Sequence, residues 1–208
     1  VAEGGSYGRG TLNYALLTNN AEAGKAATLG TALSLTATHD DGFRPNADRE
    51  AVSAFLKHEQ RLSPNLVFDV VGSADHGKAG LPGQQLGGPP NLTDWQRDGG
   101  WLLSPGLRFQ NEDTEAAVFW SRAGSSIQSV TLPFANRYLL DRDEITATVD
   151  RRVRSDLTLG LGLTYERASF EQFNVVTNSL TWGETQESLG IWTRAEWQVT
   201  AKDRLRAA

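Results

Sequence analysis

Three histidines are the side chains of this 208-residue sequence most suited to proton transfer or metal binding, and each has a carboxylate beside it. The pairs are His39-Asp40, His58-Glu59 and Asp75-His76. A metal or catalytic site needs its ligands at a recognisable spacing, as when two histidines lie one helical turn apart. These pairs lie far apart and share no such spacing. The sequence therefore predicts no catalytic residue, no metal site and no cofactor, and we expect that the protein is not an enzyme.

Two other segments resemble functional motifs only at first reading. The Gly-Leu-Gly-Leu run at 160–163 has no helix start after it, so it does not predict a phosphate-binding loop. Carboxylates at 40–41 and 141–144 could bind Ca²⁺, although solvated acidic loop tips are the preferred interpretation. The absence of cysteine excludes disulfides and thiolate metal sites, and a net charge of −5 argues against a nucleic-acid partner.

The composition permits one sizeable domain and excludes membrane-spanning helices. Hydrophobic residues make up 39% of the sequence, but no apolar run approaches the roughly eighteen residues that such a helix needs. A membrane β-barrel is compatible with this composition, because each of its strands exposes only every second side chain to lipid.

The clearest pattern runs from 157 to 165, where the sequence reads LTLGLGLTY. Leucine and tyrosine occupy every second position, and threonine and glycine lie between them. A repeat of two places a single apolar stripe on a strand, which no helix can do. The alternation recurs, least regularly in the second case, at 29–38, 66–71, 103–110, 145–150 and 188–199. The sequence therefore predicts an all-β, antiparallel fold.

Connections between the expected strands alternate between short and long. Short turns are predicted at 19–20, 63–65, 111–113, 154–156 and 201–203, and long polar loops at 39–49, 75–100, 122–142 and 170–187. Outer-membrane barrels have short turns at one end and long loops at the other. A soluble β-sandwich or up-and-down barrel also has alternating strands, but neither accounts for long loops at one end only.

Nine strands and the start of a tenth are predicted, at 6–18, 27–38, 50–61, 66–75, 101–110, 114–122, 144–153, 157–169, 187–199 and from 204 onward. Single-chain bacterial barrels have an even number of strands, so we expect this chain to be part of a larger one. The small polar residues between the apolar ones suit a wet interior. Aromatic residues near strand ends suit an interfacial girdle, namely Tyr7, Tyr14, Trp101, Trp120, Tyr165 and Trp197.

Three short motifs resemble those of TonB-dependent outer-membrane receptors. The segment 3–8, EGGSYG, is similar to the opening of their first barrel strand. The segment 38–48, THDDGFRPNAD, resembles their first extracellular loop, and 79–83, AGLPG, resembles the sequence after their fourth strand. The motifs occur in the family's order over the first eighty or so residues. The rest of the chain resembles the family in its strand pattern.

This resemblance implies a barrel of twenty-two strands that encloses an N-terminal plug. Residues 1–208 would be the N-terminal portion of the barrel domain, and the plug and the remaining strands would lie outside this chain. The expected location is the bacterial outer membrane. The expected function is energy-coupled uptake of a scarce large nutrient such as a ferric siderophore, haem or cobalamin. The implied partners are membrane lipid, the plug, the TonB complex and the extracellular nutrient, with no nucleic acid.

Ligand contacts are expected in the long loops, from residues that combine a flat apolar surface with polar groups. These are Phe43, Arg44, Leu81, Trp95, Arg97, Phe134, Arg137, Tyr138, Phe173 and Trp182. Arginine suits an anionic ferric chelate, and aromatic faces suit planar ligands. The alternative is a passive porin-like or structural barrel. An outer-membrane protease or lipase is a further alternative, but no grouping of Ser, His and Asp favours it.

Overall fold

The computed structural model describes residues 2–5, 8–20, 29–82, 92–131, 134–199 and 204–207. These residues form one sheet of eleven strands, in which each strand pairs with the next one along the chain. Every pair is antiparallel. The all-β, antiparallel prediction is confirmed.

The strands lengthen along the chain, and the longest reaches 21 residues. Their bounds are β1 Ala2–Gly4, β2 Gly10–Asn19, β3 Leu29–Asp40, β4 Arg49–Ser63, β5 Leu66–Gly80, β6 Trp95–Gln110, β7 Thr114–Thr131, β8 Phe134–Arg154, β9 Leu157–Asn174, β10 Ser179–Gln198 and β11 Arg204–Ala207. Within the described ranges, no helix is long and apolar enough to cross a membrane.

The two faces of the sheet follow the alternation of the sequence. In β9, Leu159 and Leu161 are 45% and 48% exposed, whereas Gly160 and Gly162 between them are buried. We call the leucine-bearing side the outward face and the glycine-bearing side the inner face. Cross-strand partners share a face, so the pairing register extends this assignment from β9 to the other strands.

Apolar side chains cover the outward face and do not form an internal core. Ala135 is the single buried hydrophobic residue among those described. A row of cross-strand partners, Trp120, Ile145, Tyr165 and Leu189, marks the apolar band on β7 to β10. A soluble sandwich would bury such residues between two sheets. The arrangement instead matches a barrel wall whose apolar side faces lipid.

The predicted strands were too short at one end of the sheet. The expected loops at 122–142 and 170–187 are wrong, because β7 and β8 occupy most of the first and β9 and β10 most of the second. The expected loop at 75–100 shrinks to 81–94 for the same reason. Polar and apolar residues occur on both faces in these regions, so the alternation that reveals a strand is lost although the backbone pairing continues. A further short strand, β1, precedes the first predicted strand.

Three connections at the other end, which we call the turn end, are short as predicted, and the opposite end is the loop end. After the turn predicted at 19–20, β3 begins only at Leu29, and residues 21–28 lie outside the described residues. Residues 64–65 and 155–156 are two-residue turns. At 111–113, the Asn111 side-chain oxygen accepts hydrogen bonds from the N–H groups of Asp113 and Thr114, at 3.0 and 2.7 Å. The predicted turn at 201–203 and the aromatic Tyr7 lie outside the described residues.

Trp197 anchors the outward face at the turn end. Its indole N–H donates to the Asp156 carboxylate, 2.9 Å away in the β8–β9 turn. This hydrogen bond, with the neighbouring Arg154 guanidinium, holds the pKa of Asp156 below its usual range. An apolar ring with one polar atom directed to a turn is typical of an interfacial aromatic. The predicted role of Trp197 in an aromatic girdle agrees with this geometry.

Leu161→Arg is expected to lower the free energy of unfolding of the membrane-inserted protein by about 2–4 kcal/mol, because it places a charge on the lipid-facing side. Gly190→Arg is the matched control. It lies on the inner face of β10, where an added Cβ meets the Thr164 carbonyl oxygen at 3.9 Å and nothing closer. Urea unfolding in lipid vesicles measures both. Equal losses on the two faces would contradict their assignment.

We expect that position 162 must be glycine, because the ring of Trp192 packs directly on it. A Cβ at Gly162 would overlap the indole of Trp192 on the next strand, and Phe119 covers Gly106 in the same way. Gly162→Ala should therefore destabilise the sheet by about 1–3 kcal/mol through overpacking. Gly30→Ala, where a Cβ meets no atom within 4 Å, is the control. A Trp192→Ala background should remove the penalty, and a penalty that persists there would refute the overlap as its cause.

Candidate ligand-binding face

The inner face carries ion pairs that join neighbouring strands. Arg108 on β6 lies against Asp69 on β5, with Nε–Oδ2 and Nη2–Oδ1 distances of 2.5 and 2.8 Å. Its Nη2 also donates to Glu59 on β4 at 2.9 Å. Asp69 is 7% exposed, so this fork satisfies a carboxylate that would otherwise be buried without a partner.

Further ion pairs continue across the later strands. Arg194 on β10 donates to Asp150 on β8 across Gly160, with Nε–Oδ1 at 2.8 Å. A Cβ at Gly160 would overlap both side chains, so glycine is what lets the pair span the intervening strand. Arg142 bridges Glu144 and Glu166, the latter at 2.9 Å. The inner face is therefore a polar wall, and several of its charges are paired between strands.

Towards the loop end, the inner face becomes acidic. From the middle of the strands to the loop end, the pairing register places seven carboxylates on it and two cations, Arg49 and Arg142. The carboxylates are Glu3, Asp40, Asp75, Asp98, Glu144, Glu166 and Glu184. On the described part of this wall, the electrostatics favour neutral or cationic molecules over anions.

Three aromatic rings meet on the inner face near the loop end. The Phe170 ring centroid lies 6.1 Å from that of Tyr138 and 5.1 Å from that of Trp182. Tyr138 and Trp182 were predicted ligand contacts, and Phe170 was missed. Even-numbered residues of β9 lie on the inner face, as Gly160 does. Extending that alternation by ten residues predicts Phe170 on the same face. The cluster offers a flat apolar surface on an otherwise polar wall.

The predicted ligand residues do not form one site. Register places Tyr138, Trp182 and Phe134 on the inner face, whereas Trp95, Arg97, Arg137 and Phe173 fall on the outward face. These seven residues lie in strands and not, as predicted, in loops. Phe43, Arg44 and Leu81 do lie in connections. The arginine–aromatic neighbours are stacked, with the guanidinium carbon over the ring centroid at 4.9–5.1 Å in Arg44–Phe43, Arg97–Trp95 and Arg137–Phe173.

The DGFRPNAD segment folds back onto the ends of β5 and β6. Asp40 Oδ1 accepts the Gly42 N–H at 2.7 Å, and Gly42 has a positive φ of 71°. Asn46, at φ 58°, donates through Nδ2 to the carbonyl oxygens of Leu81 and Asp94, at 3.2 and 2.7 Å. The motif thus fixes one loop-end connection against the next. The Gly83 end of the AGLPG motif and residues 6–7 of EGGSYG lie outside the described residues.

The histidines have structural contacts. His39 Nε2 lies 2.9 Å from Asp41 Oδ1, and its Nδ1 lies 3.5 Å from Glu50 Oε1. The hydrogen bond to Asp41 raises the pKa of His39 above its usual value. His58 Nδ1 lies 2.9 Å from the Thr31 hydroxyl. In the part of the chain that the structure describes, no three His, Asp or Glu side chains are grouped to hold a metal ion.

Comparison with known proteins identifies the fold. No family model matches the sequence, and no curated protein matches it significantly. Solved structures are similar over nearly the whole chain. The FpvAI–pyocin S2 complex covers 100% of this chain and 38% of the matched one, with 9% identity and a TM-score of 0.69. The copper transporter OprC covers 98% and 35%, with 13% identity and a TM-score of 0.58.

A third similar structure, the RagAB peptide transporter, covers 91% of this chain and 30% of the matched one, with 11% identity and a TM-score of 0.55. This chain therefore spans about a third of each of these structures. At such identities the likeness shows the fold. The chain has the fold of part of a TonB-dependent receptor barrel, as the sequence motifs predicted.

Asn46→Gly should loosen the loop-end connection by about 1–3 kcal/mol, because two carbonyl oxygens lose their side-chain donor while the positive φ remains available. Asn46→Ala should cost about 1 kcal/mol more, since alanine disfavours that φ. Hydrogen exchange of the Gly80 and Leu81 amides, which donate to Asp48 and Asp94, reports the loosening. Protection equal to wild type in both variants would show that Asn46 does not hold the connection.

Proposed function

We propose that this chain is the N-terminal portion of the barrel domain of an outer-membrane receptor for TonB-dependent uptake of a scarce large nutrient. The observation that carries the proposal is the sheet itself, which combines an outward apolar band with a polar inner wall that is crossed by ion pairs. Its likeness to a copper transporter and a peptide transporter supports a role in transport. In the proposed receptor, a plug preceding the barrel and the TonB complex couple release of the nutrient to energy.

The barrel residues act by binding and not by making bonds. The aromatic cluster of Tyr138, Phe170 and Trp182 offers the surface on which a planar or ring-bearing nutrient would first rest. Arginines between this cluster and the turn end, such as Arg142 and Arg194, are paired with carboxylates. The polar path past them would therefore bind neither cations nor anions tightly. A nutrient that binds at the loop end could then pass towards the turn end when the plug moves.

The charge of the inner face narrows the choice of nutrient. Ferric siderophores, haem and cobalamin remain the proposed classes, and the acidic loop end favours those that carry little net negative charge. Of the three arginines first expected to attract an anionic chelate, Arg97 and Arg137 lie on the outward face and do not support that preference. The third, Arg44, lies in a loop-end connection, where its guanidinium stacks on Phe43. Aromatic contact, and not charge attraction, is then the main source of affinity.

Energy dependence distinguishes a receptor from a passive barrel. Cells that produce the full-length protein should accumulate one probe from a panel of a ferric siderophore, haem, cobalamin, Cu²⁺ and an oligopeptide. Accumulation should stop when a protonophore collapses the proton-motive force or when TonB is deleted, while binding at the cell surface persists. Accumulation that continues under both conditions would favour the porin-like alternative, and the absence of uptake and binding for all probes would favour a structural barrel.

Trp182→Ala should weaken surface binding of the accepted probe by about tenfold, because truncating an aromatic anchor costs about 1–2 kcal/mol. Phe170→Ala should act in the same direction. Leu189→Ala, on the outward face of the same strand as Trp182, is the matched control and should leave binding unchanged. Binding that is equally weakened by Leu189→Ala would indicate a general loss of structure and contradict a site at the aromatic cluster.

A further inference from the structure

Four residues with long polar side chains form a continuous row across the outward face near the loop end. Lys78 on β5 pairs with Arg97 on β6, Arg97 with Gln128 on β7, and Gln128 with Arg137 on β8. Adjacent strands lie about 4.8 Å apart, so the row spans roughly 15 Å. We call these four residues the basic row. It carries three cations and no carboxylate.

The basic row lies beyond the apolar band on the same face. Arg97 shares the outward side of β6 with Trp101, which precedes Leu103 in the band. Arg97 lies four positions before Trp101, or about 13 Å along the strand. The row therefore lies where the membrane surface on the loop side would meet the barrel, just outside the hydrocarbon.

Among the described residues, the cations of the basic row lack the carboxylate partners that two other outward arginines, Arg122 and Arg167, have. Nearer the turn end on this face, Arg122 pairs with Asp143 at 3.8 Å and Arg167 with Glu187 at 3.6 Å. Within the described ranges, no carboxylate forms such a pair with a cation of the row.

Two further observations show that the described strands do not neutralise the positive charge of the row. The nearest carboxylate by register is Glu50, the cross-strand partner of Lys78, and it contacts His39 on the strand to its other side. The Nε of Arg137 is buried and has no hydrogen-bond partner among the described residues. The described part of the sheet therefore supplies no acceptor to this nitrogen.

Aromatic stacking holds two of the cations in place. The Arg97 guanidinium lies over the Trp95 ring at 4.9 Å, and that of Arg137 over the Phe173 ring at 5.1 Å. Stacking uses the face of a guanidinium and leaves the N–H groups at its edge available. Those N–H groups match the paired oxygens of a phosphate, and Lys78 adds a point charge at the end of the row.

We propose that the basic row binds the phosphate groups of a lipid headgroup in the membrane leaflet on the loop side. A membrane lipid fits better than a soluble phosphate because its acyl chains can pack on the apolar band below Arg97 while its headgroup reaches the row. The site is distinct from nutrient binding, since it faces away from the inner wall. It requires the barrel to lie in a membrane and does not require transport.

The test uses the full-length protein in phosphatidylcholine nanodiscs, to which a diphosphorylated, multiply acylated glycolipid is added. The retained glycolipid is measured by mass spectrometry as its concentration is varied. Each basic residue near an anionic lipid surface strengthens binding about fivefold, so K78Q/R97Q/R137Q should bind roughly a hundredfold more weakly. The same glycolipid without its phosphates should show that weak binding to the wild-type protein.

R122Q/R167Q is the matched control, because it removes two outward arginines that are already paired, and it should bind the glycolipid as wild type does. Heat-resistant migration in gels confirms that each variant has folded. Wild-type affinity in the triple variant, or equal loss in the control, would overturn the proposal. Displacement of the glycolipid by inorganic phosphate would show a site for soluble anions instead. The triple variant should bind the nutrient as the wild-type protein does. If the lipid proposal is wrong, the proposed uptake function can therefore still be tested separately.

Discussion

Backbone hydrogen bonding is the constraint on which this structure depends. In hydrocarbon, each unpaired N–H or C=O group costs several kcal/mol, so a chain that crosses a membrane in strands must pair each strand with its neighbours. The order β1 to β11, each antiparallel to the next, satisfies that demand without a crossover between strands. Alternation of side chains then follows, because a paired strand has one face on each side of the sheet.

The inner face shows what that constraint requires of the side chains. Charged groups must be satisfied locally, and arginine does this by reaching over an intervening strand. Gly160 makes room for the pair between Asp150 and Arg194, and Gly162 makes room for Trp192. Glycine would ordinarily weaken a strand, but here a neighbouring ring or guanidinium occupies the space that its missing side chain leaves. Sheet stability and the polarity of the inner wall therefore arise from the same contacts.

Sequence reasoning succeeded where the two faces meet different surroundings and failed where they do not. The leucines of 157–165 disclosed both the strand and its faces, because lipid on one side and water on the other impose a clear period of two. Nearer the loop end, water reaches both faces, and residues 122–142 appeared to be a loop. The sequence near Arg97 and Arg137 does not show which face they lie on. Only the pairing register, followed from the apolar band, assigns them to the outward face. Phe170 was missed because the predicted strand ended at 169, one residue before it, whereas β9 continues to Asn174.

The length of β8 has a consequence for how a ligand would be received. A strand of 21 residues is about twice what crosses a bilayer, so much of it stands outside as part of a hydrogen-bonded wall. A molecule arriving at that wall meets side chains whose backbone is already ordered by its neighbours. Little conformational entropy remains to be lost on association, which is the usual cost of binding through flexible loops. Recognition at such a rim is preorganised, and its specificity can be altered one side chain at a time.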